Sequence, residues 1–225
     1  MTAVEFENPD KTFEEQANRV HSFYQACADV RDRYQKGECD SRRVNLNKVC
    51  MAANASQATL RLLHWARQGG EEALVAALGL TKPEYINFVA EDLLRASRLH
   101  LLVETQFQIE TLFRNILGAL GKPQGKGFYN IANEVLKVSG VTDTTAKLAT
   151  LNVPALLRNS MHSNGIHHGH NGSSTSTIVE SVEFCFQHGK RVQSASWFHI
   201  VTALNGALGV VENVLASTPV AGLNM

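Results

Sequence analysis

Between residues 81 and 120 nothing interrupts a helical pattern, and so long a segment commits the chain to a mainly α fold. Thr81-Lys82-Pro83-Glu84 opens it with capping-box chemistry, and a proline is tolerated in a first turn, where its missing N–H has no helical partner. Val103, Phe107, Leu112, Phe113, Ile116 and Leu117 recur at the spacing of a central core helix. The length allows a kink at residues 97–100. Glu104, Glu110 and Arg114 lie along the same rod; Glu110 and Arg114 sit four apart, where a solvated ion pair contributes a few tenths of a kcal/mol.

Other helices flank this one. Thr12-Phe13-Glu14-Glu15 is a capping box, and Phe13, Val20, Phe23, Tyr24, Cys27, Val30 and Tyr34 follow at helical spacing until Gly37. A rod of roughly 24 residues is about 36 Å long. Asp40 or Ser41 caps a second helix, with a stripe of Val44, Val49, Cys50, Ala53, Leu60 and Leu63, which Gln68-Gly69-Gly70 breaks. The two predict an antiparallel hairpin, followed by a short helix over residues 71–78. Residues 121–127 are glycine-rich with two lysines, but lack the Gly-Lys-Ser/Thr ending of a phosphate-binding loop and follow no strand. They read as a helix connection. A helix is expected over residues 128–138, then a short one from Asp143 or Thr144, after which Asn152-Val153-Pro154 opens a further helix.

Beyond residue 175 the period changes. Residues 176–186 are rich in β-branched and aromatic side chains with near alternation, Gln187-His188-Gly189-Lys190 reads as a turn, and Arg191-Val192-Gln193-Ser194 as the returning strand. A small β-hairpin is therefore inserted in a helical chain. Trp197, Val201, Leu204, Leu208, Val211 and Leu215 line one face of the last helix.

A hydrophobic content of 44% and a charged content of 19% fit a soluble globular protein. With 21 basic against 21 acidic residues, no global field draws the chain to nucleic acid, so any RNA contact needs a local patch. Cys27, Cys39, Cys50 and Cys185 form no CxxC pair and predict reduced, mostly buried thiols in a reducing compartment. The first ten residues carry neither a basic region nor an apolar run, so no signal peptide is expected and the location implied is cytoplasmic. The apolar segment after Ser196 contains His199, Asn205, Glu212 and Asn213, which suits a core helix rather than a membrane span.

The chemistry concentrates in Leu156-Leu157-Arg158-Asn159-Ser160-Met161-His162-Ser163-Asn164-Gly165-Ile166-His167-His168-Gly169-His170, where four of the nine histidines fall within fifteen residues. In a helix opened by Pro154, Arg158 and His162 share a face, and two cations at that spacing repel unless an anion lies between them. A phosphate is the obvious anion. Asn164-Gly165 tolerates φ > 0 and ends the helix, and a polar, mobile loop of histidines, glycines and serines follows.

This segment resembles the signature of the HEPN superfamily, small helical proteins that include many metal-independent ribonucleases of toxin–antitoxin, abortive-infection and CRISPR systems. That signature is an arginine, often followed by asparagine, then a histidine after four to six intervening residues. Arg158-Asn159 matches its first half; three residues separate Arg158 from His162 and eight separate it from His167. The resemblance covers residues 81–217. It implies an N-terminal helical extension over residues 1–80 and a HEPN-like helical bundle over residues 81–225. It further implies RNA cleavage or RNA binding in a defence or toxin-like setting, a homodimer with facing signature helices, and an antitoxin or other protein partner. The non-catalytic alternative is a module of the same fold that binds a partner protein or a nucleotide. An acidic residue of the long helix that orients Arg158 is also implied.

Metal-free RNA cleavage needs a base for the 2′-OH proton, an acid for the leaving 5′-oxygen, and a cation for the phosphorane charge. Arg158 suits the last role and His162 or His167 the proton transfers, with Asn159 and Asn164 as RNA-binding donors. His162 is fixed by its helix, whereas His167 lies on a loop whose ordering costs about 1–2 kcal/mol per residue, so His162 is the expected carrier. Arg158 simply snorkelling to solvent is the competing reading. His162, His167, His168 and His170 could supply three zinc ligands, but with no cysteine cluster nearby no metal or other cofactor is expected.

Overall fold

The computed structural model describes residues 12–80 and 82–225. The chain is 72% helical with one two-stranded antiparallel sheet, which is the fold class its periodicities predict. The start read for a signal peptide, and Thr81 of the second capping box, lie outside the described residues.

Helix α1 (Phe13–Tyr34) begins as its capping box dictates: the Thr12 hydroxyl accepts the Glu15 N–H at 3.1 Å, and the Thr12 N–H donates to Glu15 Oε2 at 2.8 Å. Val20, Phe23 and Cys27 bury its inner face; each large apolar side chain so buried contributes ~1.5–3 kcal/mol. Helix α2 (Ser41–Gln68) runs back antiparallel to it, as three contacts in reverse order show: Arg61 to Asn18, Gln57 to His21, and Arg31 to Asn47. Val44, expected in the buried stripe of α2, is instead 41% exposed. A short α3 (Gly70–Ala77) and a 3₁₀ turn at Pro83–Tyr85 lead into α4 (Ile86–Ala119), which is helical straight through residues 97–100. Asn115 Nδ2 on Ser41 Oγ (2.6 Å) and Ser56 Oγ on the Ser97 carbonyl (3.3 Å) set α4 antiparallel to α2. Leu112, Phe113, Ile116 and Leu117 are core residues as expected, whereas Phe107 is 59% exposed.

After α5 (Phe128–Ser139) the structure departs from the sequence expectation. The short helix expected from Asp143 or Thr144 and the further helix expected from Asn152-Val153-Pro154 are one, α6 (Thr144–His162), with Pro154 inside it. The proline removes the bond to the Thr150 carbonyl, a loss of about 3 kcal/mol in an isolated helix. Burial of Val153, Pro154, Ala155 and Leu157 offsets it. Packing therefore overrides the local break.

The hairpin is present, but its turn is not at residues 187–190. Strands β1 (Thr175–Val179) and β2 (Val182–Phe186) are joined by Glu180 and Ser181, with φ of 48° and 68°. Two positive φ values make a hairpin turn whose twist matches the strands. Residues 187–190 do turn, the Lys190 N–H reaching the Gln187 carbonyl, but the chain beyond bridges Ile166 rather than pairing with β2.

Helix α7 (Trp197–Ala216) packs against α1, α4 and α6, with Ile200, Leu204, Val211 and Leu215 fully buried. Among the described residues it is the helix long and apolar enough to cross a membrane, and most of it lies inside the protein. A Cβ at Gly206 would collide with the Val179 side chain and meet Thr150 Cγ2 at 3.1 Å, so a glycine is required where α7 crosses α6 and β1. After α8 (Thr218–Ala221) the last residues return to the start of α2, where the Ser41 N–H donates to the Met225 carbonyl at 2.8 Å. One core cluster runs from Ala17 to Val220, so the N-terminal hairpin and the later helices share an interior. Cys27 and Cys50 are buried thiols within it; Cys39 and Cys185, contrary to expectation, are exposed.

Candidate functional site

Thr145, Leu148, Asn152, Leu156 and Asn159 recur three or four residues apart and so form one stripe of the unbroken α6. That stripe is one wall of a groove of about 740 Å³. Helix α5 adds Tyr129 and Asn133, and the opposite side comes from residues 167–177. The walls carry hydroxyls, amides and imidazoles but no Asp, Glu, Lys or Arg.

His167 is the most enclosed polar group there, at 4% exposure. Its segment is not a loose loop. The His167 N–H donates to the Lys190 carbonyl at 3.0 Å, its own carbonyl accepts from Gly189 at 2.8 Å, and the Val192 N–H donates to Gly165 at 2.8 Å. The ring packs against Phe186 at 5.5 Å between centroids. Gly169 holds the other side: a Cβ there would strike the Ser173 backbone and stand 3.1 Å from His167 Nε2. Neither ring nitrogen of His167 bonds another described residue. Burial pushes its pKa down, and the nearby His188 and His168 push it the same way, so the ring is neutral at pH 7.

Asn159 reaches the groove from α6, and its side-chain oxygen accepts from the Arg158 guanidinium at 2.9 Å (Nη2) and 3.2 Å (Nε). Arg158 itself points about 120° around the helix from Asn152, so this bond brings its charge back to the groove rim. His162 closes the same flank of α6 as an exposed side chain. Asn164 adopts φ 54° and, with Gly165 at 83°, ends the helix as expected; it too is exposed and does not line the groove. The structure thus brings together Asn159, His167 and, at the rim, Arg158, and leaves His162 and Asn164 outside.

Glu110 accepts from Arg114 at 2.7 Å and Glu104 from Gln108 at 2.6 Å, so these two acids of α4 are engaged on their own helix rather than by Arg158. The buried polar residues of α4 are instead Thr105, Gln106 and Gln108. His168 and His188 rings lie 6.1 Å apart, yet among the described residues no three His, Cys, Asp or Glu converge as metal ligands. Tyr129, Asn133 and Thr145 went unread in the sequence, and Asn152 was read there only as part of a helix start. The spacing of 145, 148, 152, 156 and 159 was there to be found, but only for a helix not cut at Pro154.

No family model, no curated protein and no solved structure matches the chain.

Proposed function

We propose that the groove binds single-stranded RNA and cleaves it by attack of the ribose 2′-hydroxyl. One observation carries the reading: a buried, neutral histidine whose ring bonds no other described residue faces a groove of uncharged donors without a carboxylate, and an arginine stands at its rim. Such walls accept a phosphodiester without like-charge repulsion. The resemblance of Arg158-Asn159 to the HEPN signature supports the same reaction class. His167 takes the 2′-OH proton, the 2′-oxygen attacks phosphorus, and the bond to the 5′-oxygen breaks as that oxygen receives a proton. The products are a 2′,3′-cyclic phosphate and a 5′-hydroxyl. Arg158 meets the charge that develops on the phosphorane, and the half-exposed Tyr129 ring offers a stacking surface for a base.

One groove holds one enclosed imidazole, so the proton for the leaving oxygen comes from an exposed histidine, His162 on the α6 flank or His168 or His170 of the lining, or from a second subunit. A homodimer in which two α6 helices face each other supplies both without new sequence. The setting proposed is cytoplasmic, with an antitoxin-like protein as the natural restraint. A second reading, in which the groove binds RNA or a nucleotide without cutting, draws on the engagement of the Arg158 guanidinium by Asn159.

Purified protein incubated with a mixed RNA pool in EDTA separates the two. Cleavage leaving 2′,3′-cyclic phosphate ends, with DNA untouched, supports catalysis. Binding without cleavage favours the second reading, and 3′-hydroxyl ends or a strict Mg²⁺ requirement refute the first. Light scattering of a fully active 24.7 kDa monomer removes the dimer.

A further inference from the structure

Helix α2 carries a second feature, unrelated to the groove. Its outer face exposes Val44 (41%), Met51 (66%), Leu62 (51%) and Trp65 (66%), with Ala55 and Ala58 exposed between them. Val44, Met51, Ala58 and Trp65 follow one another at seven-residue steps, and Ala55 and Leu62 each stand four after one of these. This is the spacing of a knobs-into-holes seam, about 32 Å long. A stripe one seam wide and about six turns long fits a helix rather than a flat surface.

The charges that α2 itself places along the seam all have one sign. Helix α2 contains no Asp or Glu; Lys48 stands in the stripe, four after Val44, Arg43 and Arg61 border it, and none of the three forms a salt bridge among the described residues. Arg61 touches only amides, the Asn18 oxygen at 3.3 Å and the Gln57 side-chain amide at 3.0 and 3.2 Å. Asp32, near enough to Arg43 to feel its charge, is already held by Arg31 at 2.7 Å. A second copy of the chain is a poor occupant: an antiparallel α2 pair centred on the stripe sets Lys48 of one copy beside Arg61 of the other.

We infer that this face of α2 is the docking seat for an amphipathic helix of a partner protein, with apolar residues in heptad register and Asp or Glu on its flanks. The heptad spacing selects a helix, and the cations without a salt-bridge partner select its charge.

The test uses the full chain and two synthetic helical peptides with leucines at the a and d positions, one with glutamates and one with lysines at e and g. Trp65 is its own reporter, because the other tryptophan, Trp197, is buried. The glutamate peptide should give a saturable blue shift of tryptophan emission that is lost in Trp65→Phe. Affinity should fall roughly tenfold or more for the lysine peptide, and Leu62→Glu should abolish binding while leaving the circular dichroism unchanged. Three results overturn the inference: no saturable shift with the glutamate peptide up to millimolar concentration, a shift with phosphatidylserine vesicles but not with the peptide, or a concentration-dependent shift of the protein alone that Leu62→Glu removes.

Discussion

Arg42→Met tests how the two ends of the chain are held together. Asp40 and Arg42 form a buried pair, 4% and 1% exposed at the side chain, with Nη2 on Asp40 Oδ2 at 2.6 Å and Nε on Oδ1 at 2.8 Å. The same Nη2 donates to the Leu223 carbonyl at 2.9 Å, so one guanidinium ties the α2 cap to the C-terminal segment. Methionine keeps the aliphatic bulk and removes these donors. Asp40 would then remain buried with only the backbone N–H groups of Arg42 and Lys36. Removing one partner of such a pair costs about 3–5 kcal/mol, which for a chain of this size lowers Tm by roughly 6–20 °C. Burial alone raises the Asp40 pKa, but the Arg42 guanidinium and those two N–H groups outweigh it and hold the carboxyl below its usual range. The pair's contribution is therefore full above the unfolded aspartate value of about 3.9 and is lost as pH falls through the lower folded value. Urea midpoints followed by circular dichroism at pH 7 and in acid measure both. An Arg42→Met protein within about 1 kcal/mol of the parent at pH 7, well under the expected range, refutes the argument.

In the RNA cleavage assay, His167→Ala should lower the rate on the order of 10²-fold or more, as for loss of a general base, while His162→Ala should lower it less; the reverse order would return the proton to the helix histidine. Because the His167 pKa is depressed, the active neutral form persists below the free-histidine value of about 6.5, and the acid limb of the rate profile should lie under it; a limb above that value contradicts the burial argument. Gly206→Ala should destabilise by about 1–3 kcal/mol through overpacking against Val179, visible as a lower melting temperature. Ser181→Gly should stabilise by up to about 1 kcal/mol, the strain at φ 68° being relieved, and no gain in melting temperature would refute the turn assignment.

Helices α1 and α2 were legible because each carries its own start signal, the Thr12 box and the Asp40 cap, and the stripes of α1 and α7 stand where the pattern set them. What misled was punctuation. Gly189 does sit in a turn, but the hairpin turns at Glu180-Ser181, a pair with no glycine or asparagine to announce φ > 0. Which turn closes a sheet is decided by what lies underneath, here Val179, Phe184 and Phe186 packing into the core, and that is not local information. Phe107 and Val44 fit helical stripes by spacing, yet lie on faces that no neighbouring helix covers.

Pro154 is where local and tertiary reasoning part, and the site depends on the outcome. Read as a helix start, it leaves Arg158 and His162 as the rigid pair and consigns His167 to a loop that must be ordered before it acts. With α6 continuous, Asn152 and Asn159 become one wall with Thr145, and the groove extends past the helix to the segment after Gly165. That segment is fixed by backbone bonds from residues 165–167 to residues 189–192. The ordering cost assigned to His167, about 1–2 kcal/mol per residue, is thus met by folding rather than by ligand binding. Preorganisation favours the group whose position is already determined, and that is the enclosed His167 rather than the exposed His162. The same principle that pointed to the helix histidine, applied to the folded chain, points to the other one.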